Sequence, residues 1–130
     1  YGHNPAKVAA AIAAARATTS EGRVLVLFQP HLFSRTLHSA HEFAAALATA
    51  DAVAVSAIYP AREQPLPGVT GKLVVDALAE RRPGMTIGWT PALEDGARLL
   101  ARVARPGDVV LTLGAGDVDR AAPLLLEALR

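Results

Sequence analysis

Hydrophobic positions follow two different periods along the chain, and the two periods alternate. Four segments are apolar without polar alternation, which is typical of strands that are covered on both faces. The third segment has a weaker apolar pattern, so we predict that its strand lies near a sheet edge. Between them, apolar residues recur every three or four positions, which predicts amphipathic helices. The predicted strands are residues 24–28, 52–58, 85–89 and 108–114 with the glycine turn that follows, and the predicted helices are about residues 5–18, 34–47, 72–81, 91–101 and 118–129.

The order of these elements predicts an α/β fold. One helix comes first, and four pairs of a strand and a helix follow it. We therefore expect a single domain over residues 1–130. Its fold should be a Rossmann-like, doubly wound, mostly parallel sheet with helices on both faces. Right-handed crossovers place the strands in the order 3-2-1, and the fourth strand then returns to lie beside the first. Ligands bind beyond the carboxyl ends of the strands at such a reversal, so this edge is the predicted site.

Two strand exits face the predicted site. The first strand ends in a turn that gathers Gln29, His31 and Arg35. The second exit, residues 114–117, reads GAGD, and its glycines would let a backbone approach a ligand closely. A long loop with three prolines and two glycines, residues 59–71, follows the second strand, and loops of that length in a small domain are often functional.

Composition narrows the classes of function. Of the 130 residues, 52% are hydrophobic and 19% are charged, which describes a compact globular chain, and the net charge of +1 argues against a nucleic acid or a membrane surface as partner. No apolar run approaches the ~18 residues of a membrane span. The absence of cysteine fits a reducing compartment. Because the chain begins at Tyr1 and not at methionine, we expect a fragment of a longer protein.

Several candidate residues have a structural interpretation beside the functional one. His31 either contacts a ligand or satisfies carbonyl groups of its loop. Arg35 opens a helix, where a cation is unfavourable by up to ~1 kcal/mol unless an anion binds nearby, so an anion-binding arginine is favoured over a solvated one. Ser34 is interpreted as the N-cap of that helix, and Glu63 with the adjacent Arg62 as a surface pair.

Other motifs carry little chemistry by themselves. The GAGD turn lacks the G-x-G-x-x-G fingerprint of dinucleotide sites, and no G-x-x-x-x-G-K-[ST] P-loop is present to hold a triphosphate. His38 and His41 lie three positions apart on a helix without a third ligand in register, so no metal site is predicted. Tyr1 and His3 precede a helix capped by Asn4, where they either contact a nucleotide or belong to a frayed terminus.

Four stretches together resemble one family. They read YGHNP, FQPHLFSRT, YPAREQPLPGVTG and LTLGAGDV, and they stand in the order and spacing of the C-terminal domain of the Mur ligases, over essentially the whole chain. The FQPH…SRT element is the specific one, and it resembles the members that join L-alanine to UDP-N-acetylmuramate. The resemblance implies an ATP-dependent ligation in which the muramate carboxylate becomes an acyl phosphate and the alanine amine displaces phosphate, assisted by two Mg²⁺ ions. It also implies a cytoplasmic, three-domain enzyme whose N-terminal and central domains supply the UDP-sugar site, the P-loop and the magnesium ligands.

The resemblance assigns contacts to ATP. Tyr1 matches a tyrosine that packs on the adenine and ribose, and His3 matches a histidine near the nucleotide phosphates. Gly114 and Gly116, in the turn after the fourth strand, would frame the closed cleft and contact the nucleotide. Because the chain has no P-loop, we expect it to bind nucleotide poorly and to be inactive when isolated.

The resemblance also assigns contacts to the amino acid. His31 and Arg35 match a pair that faces the amino-acid pocket and acts in catalysis, with Arg35 binding the alanine carboxylate, and the loop with Glu63 would frame that pocket. Many family members have arginine after the histidine where this chain has Leu32, so more of the carboxylate binding would fall on Arg35. A free-standing nucleotide-binding module and a Mur ligase with a different amino-acid or peptide substrate are the alternatives.

Overall fold

The fold is taken from a computed structural model, which describes residues 4–114 and 117–129. The helices are α1 (Pro5–Ala17), α2 (Phe33–Leu47), α3 (Lys72–Arg81), α4 (Leu93–Val103) and α5 (Ala121–Ala128), and a 3-10 turn (Val118–Arg120) precedes α5. The strands are β1 (Val24–Gln29), β2 (Ala52–Val55), β3 (Thr86–Trp89) and β4 (Val109–Gly114). Within the described ranges, no helix combines the length and the apolar character that crossing a membrane requires.

The four strands form one parallel sheet in the order β3-β2-β1-β4. β1 is central, and its Leu27 pairs with Ala54 on one side and with Thr112 on the other. The predicted strand order and the reversal between β1 and β4 are both confirmed, and β3 lies at the edge as expected. The carboxyl ends of β1 and β4 therefore meet at the switch point of the sheet.

Helices cover both faces of the sheet, and each face has its own core. All six residues of β1 are buried, because a central parallel strand has no side that faces solvent. Phe28 points toward α1, α2 and α3 and packs on Phe43, with the ring centroids 5.2 Å apart. Leu25 and Leu27 point to the other face, toward α4 and α5. The same alternation directs Gln29 to the α4 side.

Several element boundaries differ from the sequence predictions: α4 runs from residue 93 to 103 and not from 91 to 101, and two further differences have a visible cause. β2 ends at Val55 and not at residue 58, because the N–H of Ala57 donates to the carbonyl of Pro91 and so leaves the sheet ladder. The last helix begins at residue 121 and not at 118, since Pro123 has no N–H to donate to a carbonyl one turn earlier and is tolerated only in a first turn. Both differences lie at the ends of elements, and the strand order is unaffected.

The start of α2 also differs from the prediction. Leu32 stands at the N-cap position, so the interpretation of Ser34 as the N-cap is wrong. The carbonyl of Leu32 accepts hydrogen bonds from the N–H of Thr36 at 3.1 Å and from the Thr36 hydroxyl at 2.8 Å. The Ser34 hydroxyl bonds instead to Glu63, in the loop after β2.

The amino-terminal edge of the sheet is closed by two carboxylates. Asp51 accepts hydrogen bonds from the N–H of Val24 at 2.8 Å and from the guanidinium of Arg16 at 3.0 Å. Asp108, whose side chain is 4% exposed, accepts from both the N–H and the guanidinium of Arg23, each at 2.9 Å. The polar groups at this edge are therefore used to hold the fold together.

Candidate functional site

The carboxyl edge of the sheet is built by the turn after β1 and the loop after β2. His31 and Tyr59 form a parallel bridge, in which the N–H of Tyr59 donates to the carbonyl of Pro30 and the N–H of Leu32 donates to the carbonyl of Tyr59, both at 2.9 Å. The rings of His31 and Tyr59 stack within 16° of parallel, with their centroids 6.0 Å apart. His31 is therefore oriented both by its backbone and by its ring.

Backbone strain is concentrated at this edge. Leu32 has a φ of 70° and Ala61 a φ of 52°, and these are the two non-glycine residues with positive φ in the part of the chain that the structure describes. Such conformations cost about 1–3 kcal/mol each and persist where the surroundings over-determine them, most often at functional sites. Leu32 is fixed on both sides, by its N–H bond to Tyr59 and by its carbonyl bonds to Thr36. The strain supports the prediction of a ligand-facing turn.

A carboxylate from the long loop occupies the N-terminus of α2. Glu63 accepts hydrogen bonds from the hydroxyl of Ser34 and, at 3.1 Å, from the N–H of Ser34. The bond from the Ser34 hydroxyl, together with the N–H groups of Ser34 and Phe33, lowers the pKa of the Glu63 carboxyl below its usual 4.5, although partial desolvation opposes this shift. Glu63 is thus paired with α2 and not with Arg62, which corrects the interpretation as a surface pair.

Arg35 lies one residue beyond this contact, in the first turn of α2, and is half-buried. A guanidinium at a helix N-terminus is unfavourable unless negative charge is close, and Glu63 places a carboxylate at the same terminus. The structure therefore brings His31, Arg35 and Glu63 together around one turn, as the sequence predicts. Their contacts with an amino acid remain a prediction.

A cleft of about 440 Å³ opens on the α4 side of the same edge. Its walls come from the end of β1, the loop after β2, the start of α4 and the turn after β4. Gln29 lines the cleft and is 5% exposed, and its Nε2 donates to the carboxylate of Asp117 at 2.5 Å. Tyr59 also lines the cleft, so the cleft adjoins the stacked pair of Tyr59 and His31.

Gly114 ends β4 beside the last residue of β1. Its φ is 136°, and a Cβ placed on it would lie 2.3 Å from the carbonyl oxygen of Gln29. Glycine permits this approach because it has no side chain. The close approach that the sequence predicts at this turn is therefore made to β1, and the contact of Gly114 with a nucleotide stays a prediction.

Other predicted residues receive no structural test. Tyr1, His3 and Gly116 lie outside the residues that the structure describes, so their contacts with ATP rest on the sequence. His38 and His41 are exposed on α2. Across residues 4–114 and 117–129, no three histidine, aspartate or glutamate side chains are grouped so that they could hold a metal ion.

Two residues of the cleft, Gln29 and Asp117, lie in the two turns that the sequence predicts to face the site, but the sequence prediction assigns neither of them a contact with a ligand. The sequence contains a signal for Gln29, since an apolar run ends abruptly at an amide. Asp117 has a weaker signal, its place at the end of the GAGD turn. Their hydrogen bond joins residues 88 positions apart, which no local pattern indicates.

A doubly wound, parallel α/β sheet with helices on both faces defines the Rossmann-like class of domains, and the strained polar turn and the cleft lie at its switch point. Residues 1–116 match the family described as Mur ligase, glutamate ligase domain, and the chain belongs to that family. The resemblance that the four sequence stretches indicate is thereby confirmed.

Similar proteins of known name agree with this assignment. The chain is 51% identical over 127 residues to the UDP-N-acetylmuramate–L-alanine ligase of Cutibacterium acnes, with 97% of this chain covered. It is 49% identical over 129 residues to the ligase of the same name from Paenarthrobacter aurescens, with 99% covered. Among solved structures it resembles the UDP-N-acetylmuramate-alanine ligase of Thermotoga maritima, with a TM-score of 0.71 and 26% identity over 98% of this chain and 25% of that one. The chain spans 26% and 27% of the length of the two curated relatives.

Proposed function

We propose that this chain, as a single domain over residues 1–130, is the C-terminal, amino-acid-binding domain of an ATP-dependent ligase. The ligase joins L-alanine to UDP-N-acetylmuramate during the synthesis of peptidoglycan precursors. The observation that carries the proposal is the strained turn after β1, which holds His31 and Arg35 at the switch point of the sheet. The names of the relatives support the choice of substrates.

In this proposal the start of α2 binds the carboxylate of alanine. The guanidinium of Arg35 can form two parallel hydrogen bonds with a carboxylate, which fixes its orientation as well as its position. Because Glu63 already accepts from Ser34 at the N-terminus of α2, the positive charge for the alanine carboxylate comes from the guanidinium of Arg35. Many family members have a second arginine where this chain has Leu32. Arg35 is therefore the one arginine between residues 29 and 35 that can bind the carboxylate.

His31 and Glu63 prepare this turn for the substrate. The imidazole of His31, held by its stacking on Tyr59, can donate a hydrogen bond to the alanine carboxylate or to the oxygen that becomes negative as the amine attacks. Glu63 holds the first turn of α2 through Ser34. Together they keep Arg35 in a fixed geometry before alanine binds, which reduces the entropic cost of binding.

The phosphoryl chemistry is assigned to the rest of the enzyme. The sequence has no P-loop and the described residues contain no metal-binding cluster, so the ATP phosphates and Mg²⁺ would bind mainly to the central domain. The muramate carboxylate accepts the γ-phosphoryl group, the alanine nitrogen attacks the acyl phosphate and loses a proton, and phosphate leaves. Tyr1, His3, Gly114 and Gly116 are proposed to contact the nucleotide from this domain.

The whole enzyme is proposed to act in the cytoplasm, without a nucleic-acid or membrane partner. The N-terminal and central domains of the same chain are the partners of this domain. Closure of this domain over them would bring the alanine to the acyl phosphate and exclude water, which would otherwise hydrolyse that intermediate.

The test of this function uses the full-length protein. Phosphate release is measured with ATP, Mg²⁺ and UDP-N-acetylmuramate, with and without L-alanine, for the wild type, for Arg35→Ala and for Arg62→Ala, which removes an exposed arginine of the loop after β2. We expect release that depends on alanine, a KM for alanine raised at least about tenfold by Arg35→Ala, and little change in Arg62→Ala, because a charge-assisted bond is lost only in the first.

Other outcomes would contradict parts of the proposal. A KM unchanged by Arg35→Ala would place the carboxylate site elsewhere. Release that depends on another amino acid or on a peptide would change the substrate. A folded wild type without alanine-dependent release would overturn the ligase, and strong binding of ATP or NAD by this chain alone would then favour a nucleotide-binding module.

A further inference from the structure

Gln29 places a buried amide beside the cleft on the α4 side. The residue is 5% exposed, its Nε2 donates to Asp117, and its Oε1 accepts no hydrogen bond within the part of the chain that the structure describes. A buried acceptor without a donor loses the free energy of its hydration. The five residues of β1 that precede Gln29 are apolar and avoid this cost, so packing of the strand does not account for an amide at its end.

The other polar groups of the cleft are mainly acceptors. Asp117 and Glu94 contribute carboxylates to its lining, and Arg120 contributes a guanidinium. The side chain of Arg120 is 75% exposed and lies 3.4 Å from Asp117, so their ion pair is weak and screened by solvent. Asp117 is itself 40% exposed and accessible to a ligand. The cleft therefore suits a ligand that donates hydrogen bonds and carries positive charge.

We propose that Gln29 and Asp117 form the subsite for the primary ammonium group of the amino-acid substrate, an inference that rests on the proposed function. A primary ammonium has three N–H donors. The carboxylate of Asp117 accepts from these donors, because its two oxygens have lone pairs beyond the one used by the Gln29 amide, and Gln29 orients that carboxylate. Ile58 and Leu93 provide apolar lining for a small side chain.

The place of this subsite fits an α-amino acid whose carboxylate lies at the start of α2. Gln29 and His31 are two residues apart at the end of an extended segment, so their Cα atoms are separated by roughly 6–7 Å. An α-amino acid with hydrogen bonds of about 2.9 Å at each end reaches across such a span. Tyr59 lines the cleft and stacks on His31, which joins the two halves of the site.

The experiment compares full-length variants in the presence of L-alanine and of L-lactate, in which a hydroxyl replaces the ammonium group. Asp117→Asn keeps an acceptor for the Gln29 amide and removes the charge, Gln29→Met removes the amide at similar size, and Asp119→Asn is the control, an exposed carboxylate two residues along the same turn. The measured quantities are the KM values for alanine, ATP and UDP-N-acetylmuramate, the inhibition constant of L-lactate, and the melting temperature of each variant.

We expect Asp117→Asn to raise the KM for alanine at least about tenfold, as loss of a bond between charged groups does, and to change the other two KM values by less than about twofold. The inhibition constant of L-lactate should change less than the KM for alanine, so the preference for an ammonium over a hydroxyl falls. Gln29→Met should also raise the KM for alanine and lower the preference for an ammonium over a hydroxyl. If Asp117→Asn does not fold, the result for Gln29→Met tests the subsite. Asp119→Asn should match the wild type.

Two results would overturn the subsite while the proposed function stands. One is an unchanged KM for alanine and an unchanged preference over lactate in folded Asp117→Asn and Gln29→Met. The other is an equal rise of all three KM values, which would mean that the pair only holds the turn after β4 in place. A wild type without alanine-dependent turnover would instead overturn the proposed function, and this inference with it.

Discussion

Two carboxylates, Asp108 and Glu63, lie at opposite edges of the sheet and both accept hydrogen bonds from backbone N–H groups. Asp108 bonds to Arg23 and Arg105 at the amino edge, where it joins the starts of β1 and β4. Glu63 bonds to Ser34 at the carboxyl edge, where it holds the first turn of α2 beside the candidate site. The same kind of hydrogen bond therefore joins two strands at one edge and holds the start of α2 beside the candidate site at the other.

Asp108 makes the stability of the chain sensitive to acid. Burial raises the pKa of its carboxyl, but the hydrogen bonds from the guanidinium and N–H of Arg23 and from the N–H of Arg105 outweigh burial and lower the pKa from 3.8 to about 2. The folded state therefore binds this proton more weakly than the unfolded chain does. The stabilisation is complete above the unfolded pKa of 3.8 and is lost as the pH falls to about 2. It amounts to at most about 2.5 kcal/mol, at about 1.4 kcal/mol for each pH unit between 3.8 and 2, and screening by solvent reduces it.

Urea unfolding of the chain at a series of pH values tests this assignment. Between about pH 5 and pH 2 we expect the free energy of unfolding to fall less steeply in Asp108→Asn than in the wild type, because the variant has no carboxyl to protonate at this position. Asp76→Asn removes an exposed partner of Lys72 and serves as the control. Equal slopes in Asp108→Asn and the wild type would contradict the assignment.

At the scale of single residues, the sequence predicts which residues lie at the candidate site better than it predicts their hydrogen-bond partners. The abrupt end of an apolar run before His31 indicates a ligand-facing turn, and the structure places that residue at the switch point. The bond between Ser34 and Glu63 joins residues 29 positions apart, and the turn and the loop that it connects contain Leu32 and Ala61 with positive φ, which neither residue type favours. The interpretation of Ser34 as the N-cap is wrong because α2 begins at Phe33, which places Leu32 at the N-cap.

At the scale of elements, the strand order follows from the sequence because right-handed crossovers leave few arrangements of four alternating strands. The weaker apolar character of β3 also predicts its edge position. The exact ends of elements are harder to predict. β2 ends early because the N–H of Ala57 donates to the carbonyl of Pro91, a long-range hydrogen bond that no local pattern indicates.

The contact between the ends of β1 and β4 depends on Gly114. Alanine at this position would need a φ of 136° and would put its Cβ 2.3 Å from the Gln29 carbonyl oxygen. Gly84 also has positive φ, 86°, but a Cβ there would meet nothing within 4 Å. We expect Gly84→Ala to cost about 1–2 kcal/mol of unfolding free energy through strain alone. Gly114→Ala should cost about 1–3 kcal/mol more, because two strands must also move apart.

Thermal or urea unfolding of the two alanine variants measures this difference directly. Both variants are destabilised by alanine at positive φ. The difference between their free energies of unfolding therefore reports the clash with β1. Equal losses of stability in Gly114→Ala and Gly84→Ala would show that β1 and β4 do not approach as closely as described.

At the scale of the whole molecule, the two edges of the sheet have different tasks. Carboxylates and guanidinium groups at the amino edge hold the elements together, whereas strain, a buried amide and a cleft are concentrated at the carboxyl edge. The chain spans about a quarter of the length of its curated relatives, at 26% and 27%, and contains no P-loop. We therefore propose a division of the reaction, in which this domain supplies the amino acid and other domains form the acyl phosphate.

The most direct test of that division is to trap the acyl phosphate with hydroxylamine in the full-length protein, without L-alanine, for the wild type and for Arg35→Ala. We expect both proteins to form the same amount of hydroxamate from ATP and UDP-N-acetylmuramate, while Arg35→Ala loses most of its alanine-dependent turnover at low alanine concentration. Loss of hydroxamate in Arg35→Ala to the same extent as loss of alanine-dependent turnover would contradict the division, because it would place Arg35 in the phosphoryl-transfer step.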